Sequence, residues 1–349
     1  MHHDPLPRLC QHQVFNKLHN LGTAIKTLTT MSPKPLTSVT IITSPYHVGL
    51  RASPIHRSRV SEGPDYIKSP SGGLLALLQK SNIPVHEIEI PSVADDFEGD
   101  IGRSFELLRR ISVAVTTARN QASFPIVLAS NCCTSVGVAA GLWASDDLKG
   151  AGDDALGCVW FDAHDDYNVP DTVVSGYFDS QGIAIMAGEC WKALVGTVPG
   201  FRPTLLRKVV HCGMRDVNEL ERARVEDSAM GVVWGDAVKK VDFEAELRKE
   251  LGERFEGHDT ASLVHLDVDV LDATLGKANQ FACSGGLLKG DLVGCMEAIS
   301  ERTIPLAFTI ASFDPLCDGD GSAQTLAGVA VSGVETVLNG LKKRGILQS

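Results

Sequence analysis

From residue 38 onward, short apolar runs rich in β-branched residues alternate with segments whose apolar positions recur every three to four residues. Residues 39–43 (V-T-I-I-T) read as a first strand. Further strands are expected at 85–90, 124–129, 157–161, 208–212, 231–234, 262–266 and 306–310. Between them, Ile101, Phe105, Leu108, Ile111, Val115 and Ala118 keep helical spacing over five turns and predict an amphipathic helix. Other helices are expected at 72–80, 134–144 and 324–343. Roughly eight strands alternating with helices predict an α/β fold: a mainly parallel sheet with helices on both faces, in three layers. A polar stretch, 45–70, is too long for an idle connection and is expected to fold over a site.

Two of these strands run straight into acids. The strand at 157–161 is followed by Asp162, His164 and Asp166, at alternate positions, and the strand at 262–266 by Asp267 and Asp269. In an open parallel sheet, ligands gather beyond the carboxyl ends of the strands, so both clusters belong on one rim. Four carboxylates and an imidazole converging there repel one another unless cations stand between them. The bland alternative, two solvated acidic loops, does not account for acids placed directly after buried strands.

Composition narrows the classes. The 349 residues are 44% hydrophobic, enough for a large core, and carry a net charge of −11, which removes the electrostatic case for nucleic acid. No apolar run approaches the roughly twenty residues of a membrane span. Nine cysteines, an odd number with several inside strand-like runs, read as reduced thiols of a cytoplasmic protein. The first thirty residues carry four histidines and little apolar periodicity. They read as a mobile tail or as the product of a start upstream of Met31, with an organellar signal as the alternative. The expected organisation is an extension over 1–37 and one domain over 38–349.

These motifs together resemble the ureohydrolases, the arginase/agmatinase/formiminoglutamase superfamily. The resemblance rests on Asp162-Ala-His-Asp-Asp-Tyr-Asn168 and Asp267-Val-Asp-Val-Leu-Asp272, with lesser matches at 213–217 and 284–287. It implies an arginase-like fold and a binuclear centre of two divalent ions, manganese first among the candidates. Asp162 and Asp267 are then the bridging ligands, Asp166 completes the first site, and His164 and Asp269 the second. It further implies a metal-bridging hydroxide that attacks an amidine or guanidine carbon, with Asp166 taking its hydrogen bond and shuttling the proton. A homo-oligomer, trimer or hexamer, is also implied.

The departures bear on chemistry. Family members usually carry Gly-Gly-Asp-His after the third strand, and the His binds the first metal. Here the stretch reads Ser-Asn-Cys-Cys, with Cys132 in the ligand's place. If Cys132 ligates, zinc or iron competes with manganese, because thiolate is softer than imidazole; the alternative is a small buried residue and one site lost. Cys133 is expected to be packing. Asp179 stands where arginases keep a proton-relaying His, and would act as acid or base or grip a cationic substrate. Ser312 stands where they hold a guanidinium-anchoring Glu, so efficient hydrolysis of plain arginine is not expected. Asn168, Ser175, Asn218 and Glu221 match substrate-recognition positions, although Asn168 and Ser175 also suit turns. The leading reading is a metal-dependent hydrolase of a linear C–N bond in a modified, amino-acid-like amidino or guanidino compound. The alternatives are the same fold with a changed metal-dependent reaction, or a non-catalytic binding or regulatory protein.

Overall fold

The eight expected strands are all present and form one sheet in which every pairing is parallel. The structure is a computed structural model that describes residues 34–46, 58–93, 99–255, 257, 260–318 and 321–348. All of these lie in the unit Met31–Ser349. Most of the expected extension, and the larger part of 45–57, fall outside the described residues. Leu36 is buried and bridges to Leu347.

The strands are β1 (Ser38–Ser44), β2 (Val85–Glu89), β3 (Ser123–Ala129), β4 (Leu156–Phe161), β5 (Val209–Met214), β6 (Gly231–Trp234), β7 (Ala261–Asp267) and β8 (Ile304–Ala311). Their order across the sheet is β2-β1-β3-β8-β7-β4-β5-β6. The helices of the described residues are α1 (Gly63–Lys68), α2 (Leu74–Lys80), α3 (Asp100–Asn120), α4 (Thr134–Ala144), α5 (Gly182–Met186), α6 (Lys192–Val195), α7 (Glu219–Glu226), α8 (Phe243–Arg254), α9 (Lys289–Arg302) and α10 (Ser322–Lys343). None is long and apolar enough to cross a membrane.

Successive side chains of a strand point to opposite faces, so each central strand feeds two cores. Val159 and Phe161 of β4, with Val264 and Leu266 of β7, pack with Leu247 of α8, Leu292 of α9 and Leu338 of α10. Cys158 and Trp160, with Leu263, pack on the other face with Phe105 and Ile111 of α3, Val136 of α4 and Ile183 of α5. Because both faces are covered, the central strands are buried along their whole length and mostly apolar, which is why they read as near-continuous runs. The eight described cysteines are all free thiols.

This order places the carboxyl ends of β3, β8, β7 and β4 side by side. The chain leaves each of those ends with a residue singled out above: Cys132 after β3, Ser312 after β8, Asp267 at the end of β7 and Asp162 after β4.

Candidate metal centre

Asp162 and Asp267 are set against each other by strand register. Phe161 pairs with Leu266 across β4 and β7, so the next residue of each strand is an aspartate on the same face. The Asp162 amide donates to the Cys212 carbonyl at 3.2 Å, which carries the β4–β5 ladder one step past the strand. Each acid then closes a tight turn: His164 N–H donates to Asp162 Oδ1 at 2.8 Å, and Asp269 N–H to Asp267 Oδ1 at 2.8 Å. These turns fold His164 and Asp269 back over the rim. Asp166 reaches it from a left-handed backbone (φ +46°), a conformation that costs of order 1–3 kcal/mol and is held only by its surroundings.

Ligand atoms of Asp162, His164 and Asp269 lie within 4.8 Å of one another, and so do those of Cys132, Asp162 and His265. Asp162 belongs to both groups, as a bridging ligand requires. Cys132 Sγ donates to Asp267 Oδ2 at 2.9 Å and lies 3.1 Å from Ser312 Oγ. Asp166 lines the same cleft, with Oδ2 buried and without a hydrogen-bond partner.

The electrostatics of the cluster test whether these residues suit divalent ions. Asp162, Asp166, Asp267 and Asp269 are all buried, and among the described residues only His164 stands within ion-pair distance of any of them. Burial pushes the Asp162, Asp166 and Asp267 carboxyls up, and neighbouring aspartates push them further. Burial and then Asp267 push the Cys132 thiol well up. Burial opposes charge on His164, yet Asp269, Asp162 and Asp216 together raise it well above the usual range. Groups whose hold on protons is strengthened together at one spot are groups whose mutual repulsion a multivalent cation would relieve. Buried carboxylates, an imidazole and a thiol, with His164 the one cationic group beside them among the described residues, fit a two-ion centre.

The structure separates the expected recognition residues into two sets. Asn168 and Glu221 line the cleft and meet there, Asn168 Nδ2 donating to Glu221 Oε1 at 3.0 Å. Asn168 also donates to Asp165, whose carboxyl is pushed up to about 7 by burial and by Glu221. Ser312 lines the cleft from a left-handed backbone (φ +60°). Ser175 and Asn218 do not line it. Ser175 is exposed and accepts the Tyr177 amide, while Asn218 caps α7, accepting from Leu220 N and Glu221 N in a reciprocal box with Glu221. Both are occupied as turn and cap acceptors rather than turned to the cleft.

Asp179 is buried beside Cys132 with its carboxylate committed. It accepts from Asn131 Nδ2 at 3.0 Å, Cys132 N at 3.0 Å and Cys133 N at 2.7 Å, just ahead of α4. A carboxylate suits that end of a helix, and here it fixes the backbone that presents Cys132. Cys133 turns away, its thiol donating to the Phe178 carbonyl at 3.3 Å. The lesser motifs are structural too: the Arg215 guanidinium donates to carbonyls of Gly213, Asp269, Val270, Leu271, Cys283 and Ser284, pinning the loop that follows β7.

Other residues at the centre were not expected. Asn279 Nδ2 donates to Asp269 Oδ2 at 3.0 Å and to the Ser312 carbonyl at 2.9 Å, tying the β7 and β8 ends together. Trp160 Nε1 donates to Asp162 Oδ2 at 3.2 Å. Tyr177 and Phe281 stand 6.3 Å apart at the cleft, and Phe281 meets His164 edge-on. Of the expected cover, 45–70, the described part contributes Ser58 and Val60 to the lining. An Asn or an aromatic residue in a loop carries no motif; Trp160 lies in the strand that leads into the first motif, and Tyr177 in the loop between Ser175 and Asp179.

The model of the arginase family matches residues 38–334. Arginase-1 of Xenopus laevis is 28% identical over 270 residues, covering 71% of this chain and 78% of its own. The crystal structure of Bacillus subtilis arginase superposes with a TM-score of 0.69 at 23% identity, over 86% of this chain and 98% of that one. Proclavaminate amidino hydrolase of Streptomyces clavuligerus superposes with a TM-score of 0.60 at 18% identity, over 87% and 92% of the two chains.

Proposed function

Because the chain belongs to the arginase family, within the ureohydrolase superfamily, we propose that it is a metal-dependent hydrolase of a linear C–N bond in a cationic amidino or guanidino compound. The observation that carries this reading is the shared rim: two independent strands end in acids that meet, with Asp162 common to both groups of ligand atoms.

Cys132, Asp162, Asp166 and Asp267 are assigned to the first ion, and Asp162, His164, Asp267 and Asp269 to the second. Two such ions would supply a water molecule acidic enough to act as a nucleophile near neutral pH. Asp166 Oδ2, the atom left without a partner, is placed to accept a proton in the cleft. Asn279 and Trp160 orient Asp269 and Asp162. Asp179 is assigned to holding the Cys132 backbone rather than to proton transfer, because three donors already occupy its carboxylate.

Substrate class follows from charge and shape. Eight acidic side chains line the cleft, against the four positive charges of two divalent ions, so a cation is favoured. Asn168, Asp165 and Glu221 form a polar wall suited to an amino-acid-like end, and Tyr177 with Phe281 narrows the other side. With Ser312 where a carboxylate would anchor a free guanidinium, a substituted amidine fits better than arginine. Zinc or iron competes with manganese through Cys132. The trimeric or hexameric assembly remains an expectation from the family likeness, which light scattering tests, and the cytoplasmic setting one from the free cysteines.

The test is a panel of guanidino and amidino compounds, scored for urea, substituted urea, ammonia and formamide. Urea or a substituted urea from a substituted guanidine supports the proposal. Two bound ions with none of these products would favour a changed reaction, and no tightly held ion a binding role.

A further inference from the structure

Beneath the rim, one residue toward the start of β7 from Leu266, lies a histidine that no motif marks. His265 is fully buried and stands in register with Trp160 of β4, the two rings tilted against each other with centroids 3.9 Å apart. Strand alternation puts His265 on the same face as Asp267, and Trp160 on the same face as Asp162. Ser135 Oγ, from the first turn of α4, is 2.8 Å from His265 Nδ1. Nε2 is buried with no hydrogen-bond partner. One nitrogen of this ring lies within 4.8 Å of both Cys132 Sγ and a carboxylate oxygen of Asp162.

An imidazole nitrogen buried without a partner is costly and needs a reason. Ligating histidines characteristically give their other ring N–H to a protein acceptor, which fixes the tautomer and leaves one lone pair for the ion. Ser135 is so placed. The remaining donors at the first ion are anionic, a thiolate and carboxylates, and a neutral nitrogen limits the charge gathered around a dication. Sulfur, imidazole and carboxylate together form a donor set typical of zinc.

We propose that His265 is a ligand of the first ion, completing a Cys132–Asp162–His265 set with Nδ1 held by Ser135. The proposal rests on the metal-dependent reading above and adds to it a ligand drawn from the interior of a strand. It also predicts that the first ion sits deeper than the rim acids alone would hold it.

The experiment loads the full chain with zinc, one equivalent at a time, and records calorimetric affinity and zinc-edge X-ray absorption. In the parent, the ion that shows sulfur at about 2.3 Å also shows imidazole scattering at about 2.0–2.1 Å. His265→Phe retains the sulfur, loses that imidazole signal and binds this ion at least tenfold more weakly. Ser135→Ala weakens it by roughly 10–100-fold, as loss of an orienting partner does. Sulfur without imidazole in the parent overturns the assignment, leaves the two-ion reading intact, and makes the orphan nitrogen a buried-water site. Because His164 would supply imidazole at the second ion, the comparison is made in a His164→Asn background, where an imidazole signal that survives His265→Phe overturns the assignment as well. A parent that takes up no divalent ion overturns the functional reading and this assignment together. Should His265→Phe fail to fold, the spectrum of His164→Asn decides alone: sulfur with imidazole supports the assignment and sulfur without it overturns it.

Discussion

The thiol of Cys132 lies 2.9 Å from Oδ2 of Asp267, although 135 residues separate them in sequence. The contact joins the ends of β3 and β7 across β8, and it places a soft donor against the acid assigned to both ions. The sequence motif alone leaves Cys132 as either ligand or packing; the contact brings its sulfur into the ligand cluster.

Substitution at this contact separates the two roles. Cys132→Ser exchanges a thiolate for a hydroxyl, a far weaker ligand, and is expected to bind the first ion at least tenfold more weakly. Cys132→His is expected to bind two ions and to shift preference toward manganese. Cys133→Ser is expected to change neither, because its thiol faces the Phe178 carbonyl. Elemental analysis of the three purified variants checks all of this.

Asp162→Asn and Asp267→Asn are each expected to lose both ions and turnover, since each acid is assigned to both. The metal-free proteins should behave the other way. Burial and neighbouring aspartates raise the Asp267 carboxyl, so its charged form destabilises the fold at any pH above the ordinary carboxylate range. Metal-free Asp267→Asn is therefore expected to melt a few degrees above the metal-free parent at pH 7. Calorimetry with chelator present makes the comparison; an equal or lower melting temperature contradicts the electrostatic argument.

Ser312 stands 3.1 Å from Cys132 and offers a hydroxyl where a carboxylate would face a guanidinium. Loss of that pair costs on the order of several kcal/mol, or 10²–10³-fold in kcat/KM. Arginine and agmatine are expected to be poor substrates beside a substituted amidine from the panel. Steady-state kinetics on both decide it, and arginine turnover equal to that of the best panel compound would remove Ser312 from the account.

How much of this was legible in the sequence depends on where each residue's partner lies. β1, β3, β4, β7 and β8 could be read because a strand covered on both faces is mostly apolar and β-branched. Asp162, His164, Asp267 and Asp269 could be read because they follow such strands directly. His265 could not: a single polar residue within S-L-V-H-L reads as a tolerated core position until the β4–β7 register sets it beside Trp160. Asp179 reads as a free acid in a loop, and only the fold supplies the three donors of the Asn131–Cys133 turn. The Asn218–Glu221 capping box, by contrast, is legible in the local N-x-x-E spacing.

His211 gives the fold an acid limit distinct from the acids of the rim. It is fully buried on β5, and burial pushes its ring down to about 3. The unfolded chain takes up this proton near the ordinary value of about 6.5, the folded chain only near 3. Stability from this group is thus complete above about pH 6.5 and is lost as pH falls through the folded value. At pH 5 the loss is about 2 kcal/mol. Denaturant unfolding with chelator present is expected to show the parent losing about that much more than His211→Leu between pH 7 and pH 5. Equal losses in the two proteins would mean that His211 is protonated in the fold.

The central claim is that Cys132 belongs to a two-ion centre. Its most direct test is cobalt loading of the purified parent protein, followed by absorption spectroscopy and ion counting. Two cobalt ions per chain are predicted, with a thiolate-to-cobalt charge-transfer band in the near ultraviolet that disappears in Cys132→Ser and persists in Cys133→Ser. Two ions with no such band, or full loading of Cys132→Ser, would contradict the claim and return Cys132 to packing.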